Sequence, residues 1–251
     1  MKRQLINLVL FFFSLAFLIA CEKDENKLIV LTAAGDIQAT LDEYRSMLGN
    51  NNGSIAGSQS SGRRELNWDG VPDSLASPYF LPADFFNTTS RARGAEFTTP
   101  GDGVQVSADH DNPSGALPSF GNINPIYEQI FPPFSAERVF SPIGSNIVDL
   151  RFYVPGSSTP AVVKGFGAIY IDVDKVENTA FEYFDINDNS LGVYATPVLN
   201  EGHVFLGVVF DKPIVHRVRI AYGNSSLGPN DGGSVDVSVM DDFIYGEPQE
   251  P

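Results

Sequence analysis

Carboxylates dominate the chemistry this chain can do. It carries 31 acidic residues against 3 histidines and one cysteine, so hard-cation binding and carboxylate acid–base work are open to it, and histidine- or thiolate-based sites have little to draw on. The most informative position is Asp241. Alternation along the last segment sets Val235, Val237, Val239, Asp241, Phe243 and Tyr245 on one side of a strand, which places a carboxylate on an otherwise apolar face. An unpaired buried charge is too costly to keep. Asp241 therefore requires a cation, several backbone N–H donors, or a bulge that turns it outward. The backbone-satisfied or bulged aspartate is preferred, because a hard cation needs several convergent oxygens and one strand provides few.

Asp172 and Asp174 form a second candidate. They lie two apart at the end of a long apolar run, hence on the same side of a strand, and can offer two oxygens to a cation, joined by Asp241 if the strands are neighbours. The competing reading is a pair of solvent-facing carboxylates where the strand leaves the core. Residues 185–190 (DINDNS) match the opening of a calcium loop, but Ser190 replaces the turn glycine and Thr196 stands where the closing glutamate belongs, so they read as a hairpin turn.

Among the histidines, His216 shares an apolar face with Ile214, Val218 and Ile220 and reads as a hydrogen-bonded core residue. His203 starts a strand. His110, between Asp109 and Asp111, has a carboxylate context, yet no G-x-S-x-G elbow or H-E-x-x-H accompanies it. Trp68, the one tryptophan, could stack on a sugar, but a packing role beside a turn is preferred. Arg63 and Arg64 next to Glu65 read as loop-anchoring ion pairs, worth about 0 to 1 kcal/mol each if exposed.

The elements that must position these groups are mostly strands. Residues 147–154, 162–174, 180–184, 191–195, 203–210, 214–221 and 235–245 alternate or run apolar, separated by turn residues. Residues 180–184 and 191–195 pair as a hairpin through DINDNS. Strands at this spacing without intervening helices predict an all-β fold, an antiparallel β-sandwich of jelly-roll-like kind. Residues 67–136 are rich in Pro, Gly, Asn and Phe, as in PYFLPADFF and PIYEQIFPPF, and predict long connections whose aromatics pin loops to the core. Residues 37–48 (IQATLDEYRSML) place Ile37, Leu41, Tyr44, Met47 and Leu48 at helical spacing before Gly49, one short amphipathic helix. Residues 50–62 read as a flexible loop.

The N-terminus has the form of an export signal: Lys2 and Arg3 precede an apolar run over residues 8–20 that is too short for a comfortable membrane span of roughly 20 residues. The run ends Leu18, Ile19, Ala20, Cys21, and this resembles the lipobox of bacterial lipoproteins. A lone cysteine in an exported chain has no disulfide partner, and acylation gives it a use. The resemblance implies cleavage before Cys21 and lipid on its sulfur, hence a cell-envelope location, at the outer membrane of a Gram-negative cell. The acidic residues after it, Glu22, Asp24 and Glu25, fit either a surface-export signal or a solvated spacer. The organisation expected is a signal peptide over residues 1–20, a tether with the helix over 21–62, and a sandwich over 63–248. Two of the 16 basic residues precede Ala20, so the remainder carries 14 basic against 31 acidic residues, a net charge of −17. Such a field repels phosphate backbones and makes nucleic acid an unfit partner.

Two further resemblances concern the folded part. MDDFIYGEP, residues 240–248, is similar to the final strand of secreted jelly-roll modules, carbohydrate-binding modules among them, in which a late aspartate holds a structural calcium; this implies calcium at Asp241 or Asp242. GRRELNWDGVPDSL (62–75), FTTPGDGVQVSA, GSNIVDLRFYVPG, GFGAIYIDVD and MDDFIYGEP together resemble an uncharacterised family of secreted bacterial β-sandwich proteins, over nearly all of the chain beyond Ile37. That family brings no catalytic set. The reading is a non-catalytic module that binds an extracellular glycan, held to the membrane by lipid. A structural or adhesive protein that binds other proteins is the alternative, and an envelope hydrolase a third.

Overall fold

A computed structural model describes residues 27–251. The signal segment and Cys21 lie outside the described residues. Two antiparallel sheets face each other. The larger contains β1 (Leu28–Ala34), β10 (Leu199–Phe210), β7 (Gly165–Val173), β12 (Val239–Gly246), β5 (Phe140–Ile143) and β4 (Gly103–Val106) in that order, with β2 (Arg63–Leu66) also paired to β12. The smaller runs β3 (Ala95–Thr98), β6 (Ile147–Phe152), β11 (Arg217–Ala221), β8 (Ala180–Phe184), β9 (Ser190–Ala195). The all-β sandwich expected from the strand pattern is the fold observed.

Period-2 alternation decides which side chains fill the space between the sheets. Val148, Leu150 and Phe152 of β6 meet Phe166, Ala168 and Tyr170 of β7 and Phe243 and Tyr245 of β12 in the main core. The other face of the large sheet is covered too. Helix α1 (Gln38–Leu48) lays Leu41, Tyr44 and Leu48 on Ile169, Phe205, Val209 and Ile244. The facing glycines Gly167 and Gly207 make room for Tyr44, since a Cβ on Gly207 would come within 2.6 Å of its ring. Farther along, Phe120, α2 (Tyr127–Ile130) and Phe131 cover Ile171, Val237 and Val239. The strands buried on both faces are the ones whose sequences lack alternation.

Several expectations need correction. The segment over 21–62 is not a tether as far as it is described: β1 pairs with β10 over seven residues, from Leu28↔Phe210 to Ala34↔Val204, and α1 packs on the same sheet. The sandwich thus begins at Leu28. Its exposed apolar residues had hidden this strand, because an edge strand needs no clean alternation. The loop over 50–62 is tied down by Asn52 and Gln59, which donate to Glu247. A second, one-turn helix exists at α2. Through the Asp211–Lys212–Pro213 turn the chain passes from one sheet to the other, from β10 to β11. The hairpin of β8 and β9 is as expected, Ala180 opposite Ala195.

Candidate functional site

The last strand resolves the Asp241 conflict. Val239 belongs to the outer cluster, Met240, Phe243 and Tyr245 to the inter-sheet core. Regular alternation cannot put both Met240 and Phe243 inside, and the register with β7 shifts between them, from Met240↔Tyr170 to Phe243↔Ala168. One extra residue is inserted, a bulge. It lets two consecutive side chains converge: Ser135 Oγ lies 2.9 Å from Asp241 Oδ1 and 2.8 Å from Asp242 Oδ1. Asp241 Oδ2 accepts the N–H groups of Phe134 at 2.6 Å and Ser135 at 3.0 Å. Backbone satisfaction, as expected, is realised; the bulge is present too, but it does not turn Asp241 out to solvent, since the residue is fully buried.

One hydroxyl proton cannot serve two carboxylates at once, so this geometry favours a further proton on the pair. Burial raises the Asp241 carboxyl to about 8, the charge of Asp242 adds to this, and the Ser135 and Phe134 donors oppose it. Burial likewise raises Asp242. The native pair therefore binds more protons than the unfolded chain from about pH 4 to about pH 8. Its stabilisation is complete below the unfolded pKa and is lost as pH rises through the native one. We expect thermal midpoints to fall steadily between pH 5 and 8.5, and Asp241→Asn, a neutral isostere, to flatten that slope. A midpoint that climbs over this range in the wild type contradicts the protonated pair.

Asp172 and Asp174 stay apart from this bulge. Asp172 is buried in β7 at a φ of +64°, where β10 has its own irregularity between Leu199 and His203, and its Oδ1 accepts the Glu201 N–H at 2.7 Å. Asp174 is half-buried, and its N–H points at Asp236 Oδ1. The two aspartates of the last strand face Ser135 and Phe134 instead, which engage both oxygens of Asp241 and one of Asp242. No three His, Cys, Asp or Glu side chains among the described residues form a ready-made metal cage. His216 Nδ1 is bonded to the Ala161 carbonyl, as a core histidine, and His203 Nε2 to that of Pro132. Trp68 is fully buried, so it cannot stack on a sugar.

Two clefts merit comparison. One, of about 300 Å³, is bordered by Glu65, Asn67, Phe85, Arg91, Arg93 and Asp242. Its carboxylates are partly occupied: Arg45 and Arg63 each take one oxygen of Glu65, and Ser135 holds one oxygen of Asp242. Its aromatic faces are covered, with the Arg91 guanidinium 4.4 Å over Phe85 and that of Arg93 over Phe86.

The other, of about 320 Å³, is lined by Asp73, Ser74, Tyr79, Asn112, Pro113 and Ser114. Here the aromatic face is open, since Tyr79 is 52 % exposed and neighbouring Phe80 45 %. The platform under them is rigid. Ser77 and Leu81 donate their N–H groups to Val106 and Val104 of β4, Gln105 Nε2 donates to the Pro78 carbonyl, and the ring of Phe80 lies on Gly103. Asp73 is oriented by buried Arg138, which also binds Asp109 and the Ser107 carbonyl. Asn112 is 8 % exposed; its Oδ1 accepts from Ser114, while its Nδ2 has no partner. A buried donor without an acceptor costs about 1 to 3 kcal/mol. Sequence reasoning missed this site. The signal available was the PYF segment between Pro78 and Pro82, where prolines fix a loop against an edge and leave consecutive aromatics no strand to bury them.

Comparison with protein-family models and with curated proteins finds no match. Among solved structures, a two domain protein with unknown function from Bacteroides fragilis matches at 12 % identity with a TM-score of 0.26, over 63 % of this chain and 46 % of that one. The chain spans less than half the length of that protein.

Proposed function

We propose that this chain is a non-catalytic, lipid-anchored module of the cell envelope that binds an extracellular glycan at the Tyr79 cleft. The observation that carries the reading is the pairing of an open aromatic face with an unpartnered buried amide donor. A pyranose presents C–H groups on one face and hydroxyls around its rim. The negative face of the Tyr79 ring attracts the first, and Asn112 Nδ2, Asp73 and Ser74 meet the second. Lys2, Arg3, the apolar run and Cys21 support the anchor, with the outer membrane as its site. The acidic balance keeps nucleic acid away.

The carboxylates of the bulge and the cleft favour binding over hydrolysis. Glycoside cleavage uses two accessible acids about 5 to 10 Å apart. The close pair at Asp241 and Asp242 is buried and shares Ser135, while the cleft itself offers Asp73, already paired with Arg138. For the glycan, Tyr79→Ala should weaken binding at least tenfold, about 1.4 kcal/mol, with the melting midpoint nearly unchanged because the side chain is exposed. Affinity electrophoresis against a panel of polysaccharides reads both the ligand and the variant. Retardation by none of them, or equal retardation of the variant, contradicts the proposal.

A protein partner is the second reading, favoured by one observation. β1 is an edge strand whose Leu28, Ile29 and Val30 are all exposed, the surface to which another chain could add a strand. Glycan-independent capture abolished by a proline at Ile29, with Tyr79→Ala silent, would select it.

A further inference from the structure

Three buried oxygens near one end of the sandwich have no hydrogen-bond partner: Asp172 Oδ2, Asp236 Oδ2 and Ser238 Oγ, on residues that are 0 %, 0 % and 2 % exposed. The chain path brings them together. Val237 and Val239 enter the outer apolar cluster, so Asp236 and Ser238, which alternate with them, face the other way. Ile171 pairs with Val239, the last rung of that ladder; Asp172 and Ser238 are the next residues along the two segments, and farther on the Asp174 N–H reaches Asp236 Oδ1 at 3.3 Å. The local backbone is built to hold this arrangement. Glu201 N–H fixes Asp172 Oδ1; Asn224 grips Asp236 through a side-chain acceptor and a backbone donor, at 2.9 Å each.

Around this buried trio lie more exposed carboxylates. Asp174 and Asp231 are half-buried. Burial raises the Asp172 carboxyl to about 7; the Glu201 N–H opposes this, and the charges of Asp231, Asp174 and Asp236 add to it. Asp231 and Asp236 act on Asp174 in the same sense, with Lys175 opposing. On Asp236, burial again leads; the Asp174 N–H, Asn178 and the Lys175 backbone work against it. A cluster this acidic, with desolvated oxygens left over, is short of positive charge at its centre.

We propose that a divalent cation of the calcium class binds here, on Asp172, Asp236 and the Ser238 hydroxyl, with Asp174 and Asp231 closing over it. Calcium takes six to eight oxygens in flexible geometry and accepts hydroxyl, carbonyl and water ligands beside carboxylates. Two buried carboxylates and a hydroxyl form the fixed half of such a shell. The half-buried pair and solvent form the adjustable half, which is why no cage stands ready before the ion arrives. The ion ties the irregular stretch of β7 and β10 to the approach of β12, three segments distant in sequence.

The test uses the full chain purified in mild detergent. Calcium in millimolar excess over chelator should raise the melting midpoint by about 5 °C, since a ligand held only by the native state stabilises it. Terbium, a calcium surrogate, should luminesce on tyrosine excitation, because Tyr127 lies within the field of both Asp172 and Asp231. Asp236→Asn should remove both responses. Asp174→Asn, at a half-buried position, should fold normally and bind several-fold more weakly, whereas Asp241→Asn should keep the calcium response. The proposal is overturned if the wild type shows neither shift nor luminescence, which would leave the three oxygens to protons or buried water. It is equally overturned if the responses survive Asp172→Asn combined with Asp236→Asn.

Discussion

Glu247→Ala should destabilise the protein by about 3 to 5 kcal/mol, the cost of leaving a buried charge without its partner, and lower the melting midpoint by roughly 10 °C. Arg64 is fully buried. Its Nε and Nη2 reach the two Glu247 oxygens at 2.5 and 2.8 Å, and two more of its N–H groups meet the carbonyls of Ile55 and Gly57. Glu247 also accepts Asn52 Nδ2 and Gln59 N. Truncating it strands a guanidinium in the interior and releases the loop over 50–62 at the same stroke. Arg64→Met combined with Glu247→Leu should recover most of the loss, because an apolar pair of similar volume incurs no desolvation penalty. Chemical denaturation measures both variants. A loss below 1 kcal/mol for Glu247→Ala would mean that water reaches the pair.

Trp68→Ala should cost about 3 to 5 kcal/mol as well, by a different route. The indole stacks on Phe140 at 4.3 Å and meets Phe86, Phe97 and Phe243 edge-on, so its removal opens a cavity ringed by aromatics. Its Nε1 donates to the Asp241 carbonyl at 2.9 Å, within the bulge. Trp68→Phe should therefore fall between alanine and wild type: it keeps most of the packing and loses that hydrogen bond. A phenylalanine variant as stable as the wild type would show that the indole hydrogen bond contributes nothing.

The strands of the second half were legible because each carries its own two-residue period or an uninterrupted apolar run, and burial follows that pattern directly. Val148, Leu150 and Phe152 needed no tertiary knowledge. β1 was not legible, since Leu28, Ile29 and Val30 are exposed at an edge and resemble no amphipathic template. Arg64 misled for a related reason. Beside Glu65 it reads as a local surface pair, while the residue it binds is 183 positions away, and nothing in a linear pattern encodes that reach. Asp241 was legible as a conflict and even in its resolution, although its donors come from Phe134 and Ser135, which no spacing rule connects to it. The Tyr79 cleft escaped because the proline-rich region was expected to turn its aromatics inward. Phe85 and Phe86 do so; Tyr79 and Phe80, held between prolines along β4, do not.

The glycan reading stands or falls on what occupies the Tyr79 cleft. Crystals soaked with an oligosaccharide that the chain retains should show a pyranose ring stacked on Tyr79 with one hydroxyl oxygen within hydrogen-bond distance of Asn112 Nδ2. Sugar density against Glu65 and Asp242 instead, or a bare Tyr79 at saturating ligand, would contradict the account.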